Sequence, residues 1–143
     1  MLVVVDESRP ATLSKRIVTD ILRRELGFSG LILSDDLEMK AIAKEYAVPA
    51  AAVLALEAGC DGVLICSGSH DIQVAALEAV IHAVEDGTLR LSEVDDALKR
   101  HRQAKERFLA SPVAARPMSG RTLRAVIGRD EHRAIAHEMS QFL

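Results

Sequence analysis

The chain has 143 residues, 49% hydrophobic and 27% charged, with a formal net charge of −3. That suits one ordinary domain with a real core, in a chain that reads as soluble and globular. Only 3% of residues are aromatic and no basic block is present, which argues against a nucleic-acid partner. No apolar run approaches the roughly 20 residues of a membrane span, and no signal-peptide pattern opens the chain.

Taken in order, MLVVV reads as the end of a buried strand. Asp6 stops it, and a polar connection containing Pro10 leads to a helix that Thr12 or Ser14 can cap. Ile17, Val18, Ile21, Leu22 and Leu26 fall on one face of that helix, and Gly27 ends it. Phe28 to Ser34, FSGLILS, predicts a second strand covered on both faces, and it runs straight into Asp35 and Asp36. A short helical piece follows around Lys40 to Tyr46, then Pro49 restarts a helix that Gly59 closes.

CDGVLIC predicts a third buried strand, with Cys60 and Cys66 as reduced core thiols rather than a disulfide or metal pair. The helix over 69–87 should turn Val74, Leu77, Val80, Ile81 and Val84 inward and stop at Gly87. Another runs over 91–108, capped by Ser92 with Asp95 three residues on. Residues 109–122 carry two prolines and a glycine and read as an irregular arm, before a last helix from about Asp130.

The alternation is β-α-β-α-β-α with apolar strands, so an α/β fold with parallel strands and helical crossovers is expected. Such sheets bind ligands beyond the carboxyl ends of their strands, where Asp35 and Asp36 fall. Both aspartates can be structural, Asp36 capping the next helix and Asp35 accepting backbone N–H groups. A receiver-like phosphoacceptor site lacks its lysine at the end of the third strand. A metal site lacks a histidine or second acidic cluster at ligand spacing. A carboxylate nucleophile of a retaining glycosidase fits equally, and spacing alone does not choose.

The longer stretch ILRRELGFSGLILSDDLEMKAI closely resembles the active-site signature of glycoside hydrolase family 3. Ile21, Leu22, Arg23, Glu25, Gly30, Leu31, Ile32, Leu33, Ser34 and Asp35 occupy its matched positions. SDDLEM, RPATLSKRIV and ALEAGCDGVLIC resemble the β-N-acetylhexosaminidase branch, and the resemblance runs from Val3 to Phe108. It implies that Asp35 is the nucleophile, forming a covalent glycosyl-enzyme intermediate with a terminal N-acetylglucosamine. Asp36, Leu37 and Met39 would shape the floor beside it. It also implies muropeptide turnover in the bacterial cytoplasm with no metal or organic cofactor. His70, just after the third strand, is a candidate sugar contact; His82, His101, His132 and His137 lie on helices or in the tail.

The family's catalytic domain is a (β/α)₈ barrel of about 250 residues. The resemblance therefore implies a partial TIM barrel over 1–109, the last about three parallel strands with their helices, then an irregular arm and terminal helix over 110–143. In this branch the acid/base histidine sits on an earlier Lys-His-Phe-Pro-Gly-His-Gly-like loop, which this sequence does not contain. The expectation is a fragment with little hydrolysis of its own. Its expected partners are an N-acetylglucosamine-containing glycan and either the N-terminal part of the barrel or a second copy meeting exposed strand edges. The rival reading is a non-catalytic α/β binding or assembly module derived from the same barrel.

Overall fold

The computed structural model describes residues 5–66, 68–109 and 119–142, so the expected first strand falls almost wholly outside the described residues. The chain forms two compact units, Met1–Arg107 and Phe108–Leu143.

In the first unit a single 3₁₀ turn, Ala11–Leu13, leads to Ser14. Of the two expected caps it is Ser14 that acts: its Oγ accepts the Ile17 N–H at 3.2 Å and donates to Asp6 at 2.6 Å. The helix that follows, Arg16–Glu25, is a π-helix rather than the expected α-helix, and Leu26 N–H reaches back five residues to Ile21 O. No glycine or proline lies between Lys15 and Leu26 to explain this locally. What accompanies the wide winding is a set of tertiary anchors, among them Thr19 Oγ1 donating to Ala58 O at 2.7 Å. Val18 is buried, whereas Leu26, expected inward, is exposed because the helix has already ended there. Gly27 then turns the chain at φ +64°.

The strands are shorter and later than the sequence suggests. β1 is Leu33–Asp36 and includes both aspartates; β2 is Gly62–Leu64 and lies parallel to it. Nor is the sheet covered on both faces by the described residues: Leu33 and Leu64 are 48% and 40% exposed, while Ile32 and Ser34 are buried.

Between the strands lie α1 (Lys40–Ala43) and α2 (Val48–Ala58), the latter with Pro49 in its first turn and Gly59 closing it at φ +110°. A Cβ at residue 59 would sit 2.4 Å from Thr19 Oγ1, so glycine is required there by space as well as by backbone angle. α3 (His70–Glu85) and α4 (Leu91–Leu109) follow β2.

α3 does not bury the face expected of it. Ala76 and Ala83 are buried and Val80 packs against the core, but Val74, Leu77 and Ile81 are exposed. The reason lies in α2, whose buried residues are Ala51, Ala52, Ala55 and Ala58. Small residues on both helices permit close approach of the backbones, and the larger side chains are turned away. At the start of α4 it is Glu93, not Asp95, that reaches back, its carboxylate accepting the Arg90 N–H at 3.4 Å. Cys60 is a buried free thiol as expected, but Cys66 is exposed because β2 has ended two residues before it.

The second unit contains α5 (Gly120–Val126) and α6 (Asp130–Ser140). α5 begins inside the stretch expected to be irregular. Ser119 Oγ accepts the Thr122 N–H at 3.1 Å and starts the helix, so Gly120 sits in a first turn rather than breaking one. Residues 110–118 of the expected arm lie outside the described residues.

Candidate active site

Asp35 and Asp36 stand at the carboxyl end of β1, beside the carboxyl end of β2. The ladder explains how they are presented. Leu33 pairs with Gly62 and Asp36 with Leu64, so β1 advances three residues while β2 advances two. One extra residue is therefore accommodated in β1 between Leu33 and Asp36, a bulge of the kind that re-aims side chains.

Four hydrogen bonds organise the bulge. Ser34 Oγ accepts the Leu64 N–H at 2.9 Å and donates to Asp35 O at 2.7 Å. Leu64 O accepts the Leu37 N–H at 3.0 Å. The Asp36 N–H donates to Asp35 Oδ1 at 2.8 Å.

The two carboxylates thus differ in employment. Asp36 Oδ1 accepts from Glu38 N–H at 3.1 Å and Cys66 N–H at 3.3 Å, tying the turn after β1 to the end of β2. Asp35 is exposed, and its carboxylate takes the N–H of its own neighbour. Partial desolvation first, then the Asp36 carboxylate, pushes the nearby Cys66 thiol up from its ordinary value.

Leu37 is fully buried and anchors the turn from below. Met39 is 44% exposed just before α1, with its N–H on Asp36 O at 3.2 Å. His70 is the exposed first residue of α3. Among the described residues no hydrogen bond joins Met39 or His70 to Asp35. The geometry therefore gathers Asp35, Asp36 and the Leu64–Cys66 backbone, with Met39 at the turn's edge and His70 not bonded to them. The one described histidine–carboxylate ion pair, His82 with Glu85 at 3.1 Å, is exposed on α3. No group of three His, Cys, Asp or Glu among the described residues is placed to hold a metal ion.

The other end of the sheet holds a residue that the sequence reading passed over. Asp61, immediately before β2, has a side chain 2% exposed and is held by both Arg23 and Arg100, the latter through Nε at 2.9 Å. Its Oδ2 also accepts the Ile32 N–H at 2.8 Å, and its own N–H donates to Ile32 O at 2.7 Å. Arg23 in turn donates to Gly30 O and, at 3.1 Å, to Phe28 O. The basic residue and the glycine of the signature are thereby parts of one clamp, which fixes the entry to β1. A signal was available: a lone carboxylate between Gly59-Cys60 and an apolar strand must find cations to be buried. The cavity of about 150 Å³ lined by Leu56, Val80, Val94 and His101 also borders Asp61, and is not at the Asp35 rim.

A parallel α/β sheet presenting one under-employed carboxylate beyond the carboxyl ends of its strands belongs to the class of folds that bind ligands at that rim. The sequence profile of the glycosyl hydrolase family 3 N-terminal domain matches residues 2–103, and the chain belongs to that family.

A β-hexosaminidase of Stenotrophomonas maltophilia (strain R551-3) is 38% identical over 91 residues, covering 64% of this chain and 25% of its own. One from Nitrosomonas eutropha is 38% identical over 109 residues, covering 72% and 31%. The family 3 β-N-acetylglucosaminidase of Paenibacillus sp. str. FPU-7 superposes with a TM-score of 0.73 at 38% identity, over 82% of this chain and 23% of that one. The chain spans between a quarter and a third of the length of these two curated relatives.

Proposed function

We propose that this chain is the nucleophile-bearing part of a retaining β-N-acetylhexosaminidase barrel acting on terminal β-linked N-acetylglucosamine. The observation that carries the reading is the division of labour at the rim. Asp36 is committed to backbone N–H groups of the turn after β1 and of Cys66 just past β2, whereas Asp35 faces outward with its carboxylate oriented by one N–H. The substrate class rests on relatives named β-hexosaminidase and β-N-acetylglucosaminidase.

In this mechanism an Asp35 oxygen attacks the anomeric carbon as the bond to the departing oxygen breaks, and a separate acid protonates that oxygen. Water then displaces the Asp35 carboxylate from the sugar, with the same group now acting as base. The acid/base group is assigned to a part of the barrel outside this sequence. In the assembled (β/α)₈ ring, β1 and β2 are neighbouring strands and the exposed Leu33 and Leu64 face its interior. Met39 and His70 border the sugar, and Asp36 holds the turn. The setting is cytoplasmic turnover of cell-wall muropeptides, without a metal or organic cofactor.

The test is hydrolysis of an aryl β-N-acetylglucosaminide by the chain, alone and with the preceding barrel segment of the S. maltophilia relative supplied in trans. Turnover is expected only in the combination. Asp35→Asn should lower kcat roughly a thousandfold or more; an Asp35→Asn assembly that turns over at the unmodified rate would refute the assignment.

A further inference from the structure

The reading of Asp35 as nucleophile leaves Ser34 without a role, yet Ser34 is the buried residue around which the bulge is built. In a regular parallel ladder the bonds repeat every two residues. Gly62 N–H bonds Ile32 O at 3.3 Å, so two residues on, Leu64 N–H should meet Ser34 O and Leu64 O should meet Asp36 N–H. The register departs from this: Asp36, not Asp35, pairs with Leu64. Leu64 N–H also reaches the Ser34 hydroxyl, and Leu64 O takes Leu37 N–H, one residue late. The Asp36 N–H is thereby released from the ladder and donates to Asp35 Oδ1 instead.

We infer that Ser34 is a positioning residue for the nucleophile: its hydroxyl bridges Leu64 N–H and Asp35 O, maintains the one-residue bulge, and leaves the Asp36 N–H free of the ladder to hold the Asp35 carboxylate. The inference rests on the proposed role of Asp35 for its catalytic meaning, but its structural half stands alone. The hydroxyl is suited to the task because it accepts from Leu64 N–H while donating to Asp35 O, and so ties the two strands together at the bulge. An alanine at residue 34 leaves the Leu64 N–H without that acceptor. The cheapest repair is the regular ladder, which moves Asp36 N–H onto Leu64 O and slips the following side chains by one position. A slip of one residue exchanges the two faces of a strand.

The experiment compares Ser34→Ala, Ser34→Cys and Ser34→Thr in the assembled barrel with an aryl β-N-acetylglucosaminide, alongside amide hydrogen exchange of the chain itself. Misplacing a reacting group by about an ångström costs on the order of a hundredfold. Ser34→Ala is therefore expected to lose about that factor in kcat with KM little changed. Ser34→Cys should fall between, and Ser34→Thr, which keeps the hydroxyl, should stay within about threefold of the parent. General destabilisation would lower the active fraction of all three variants without this ordering. In exchange, Ser34→Ala should gain protection at Asp36, now in the ladder, and lose it at Leu37.

Equal kcat in Ser34→Ala and Ser34→Thr, or unchanged exchange at Asp36 and Leu37 in Ser34→Ala, would overturn the inference. If the assembly turns over normally with Asp35→Asn, the nucleophile reading fails instead, and the bulge is then judged by the exchange pattern alone. Should Ser34→Ala not fold, the ordering of Ser34→Cys below Ser34→Thr decides.

Discussion

Asp61 and Asp35 lie near opposite ends of the same two strands in opposite circumstances. Asp61 is sealed in, bonded to two arginines and to a backbone N–H at the entry to β1. Asp35 is open to solvent at the exit, its carboxylate bonded to the next residue's N–H. The same side chain does two jobs according to what surrounds it. A buried carboxylate whose two oxygens accept from two arginines and a backbone N–H organises the backbone and is closed to a substrate, whereas one at an open rim keeps an oxygen available for one. The difference also says where damage should appear: in stability at one end, in chemistry at the other.

Removing the buried carboxylate is the largest test of that contrast. Asp61→Ala strands two partly buried guanidinium groups, and breaking such a pair costs about 3–5 kcal/mol, a large share of the roughly 5–15 kcal/mol that holds a domain folded. Asp35→Ala, by comparison, should change stability by less than about 0.5 kcal/mol. Urea unfolding of both variants measures this, and similar losses in the two would abolish the distinction.

Next in size is Gly59→Ala, where a left-handed backbone angle coincides with a Cβ position 2.4 Å from Thr19 Oγ1. A loss of about 2–3 kcal/mol is expected. Gly27→Ala, at φ +64° with nothing within 4 Å, should lose only about 1 kcal/mol. Equal losses would mean that the Thr19 contact, and with it the seating of the π-helix on the end of α2, has no energetic weight.

A pH-dependent effect belongs to Asp6, at the start of the polar connection. Hydrogen bonds from the Ser14 and Ser8 hydroxyls hold its carboxyl down to about 2, against an ordinary value of 3.8. A folded-state value below the unfolded one means that the stabilisation is complete above about pH 4 and drains away as pH falls through 2. Asp6→Asn should therefore be less stable than the parent at neutral pH, with the gap closing in acid; a gap unchanged at pH 2 would disprove the linkage. The smallest effect expected is Arg24→Ala, which breaks only an exposed pair with Asp20 and should cost below about 0.5 kcal/mol.

How much of this was legible in the sequence divides along the same line. Alternating apolar runs and helix punctuation located Gly27, Pro49 and Gly59 and the order of the elements, because these are local choices of backbone. The signature is what singles out Asp35 for the role proposed above. The bulge was not readable, since it exists only in the register of two strands brought together from 26 residues apart. Asp61 was missed because its meaning depends on Arg23 and Arg100, each nearly forty residues away. The inward face of α3 was misjudged because hydrophobic periodicity favours the largest side chains, whereas close packing on α2 favours alanine.

The central claim is tested most directly by trapping the covalent intermediate. The assembled barrel is incubated with a fluorinated N-acetylglucosaminyl mechanism-based inhibitor and mapped by peptide mass spectrometry. The account predicts one sugar bonded to Asp35, and none in Asp35→Asn. A sugar on Asp36 or Glu38, or an unmodified chain in an assembly that still hydrolyses the aryl glycoside, would contradict it.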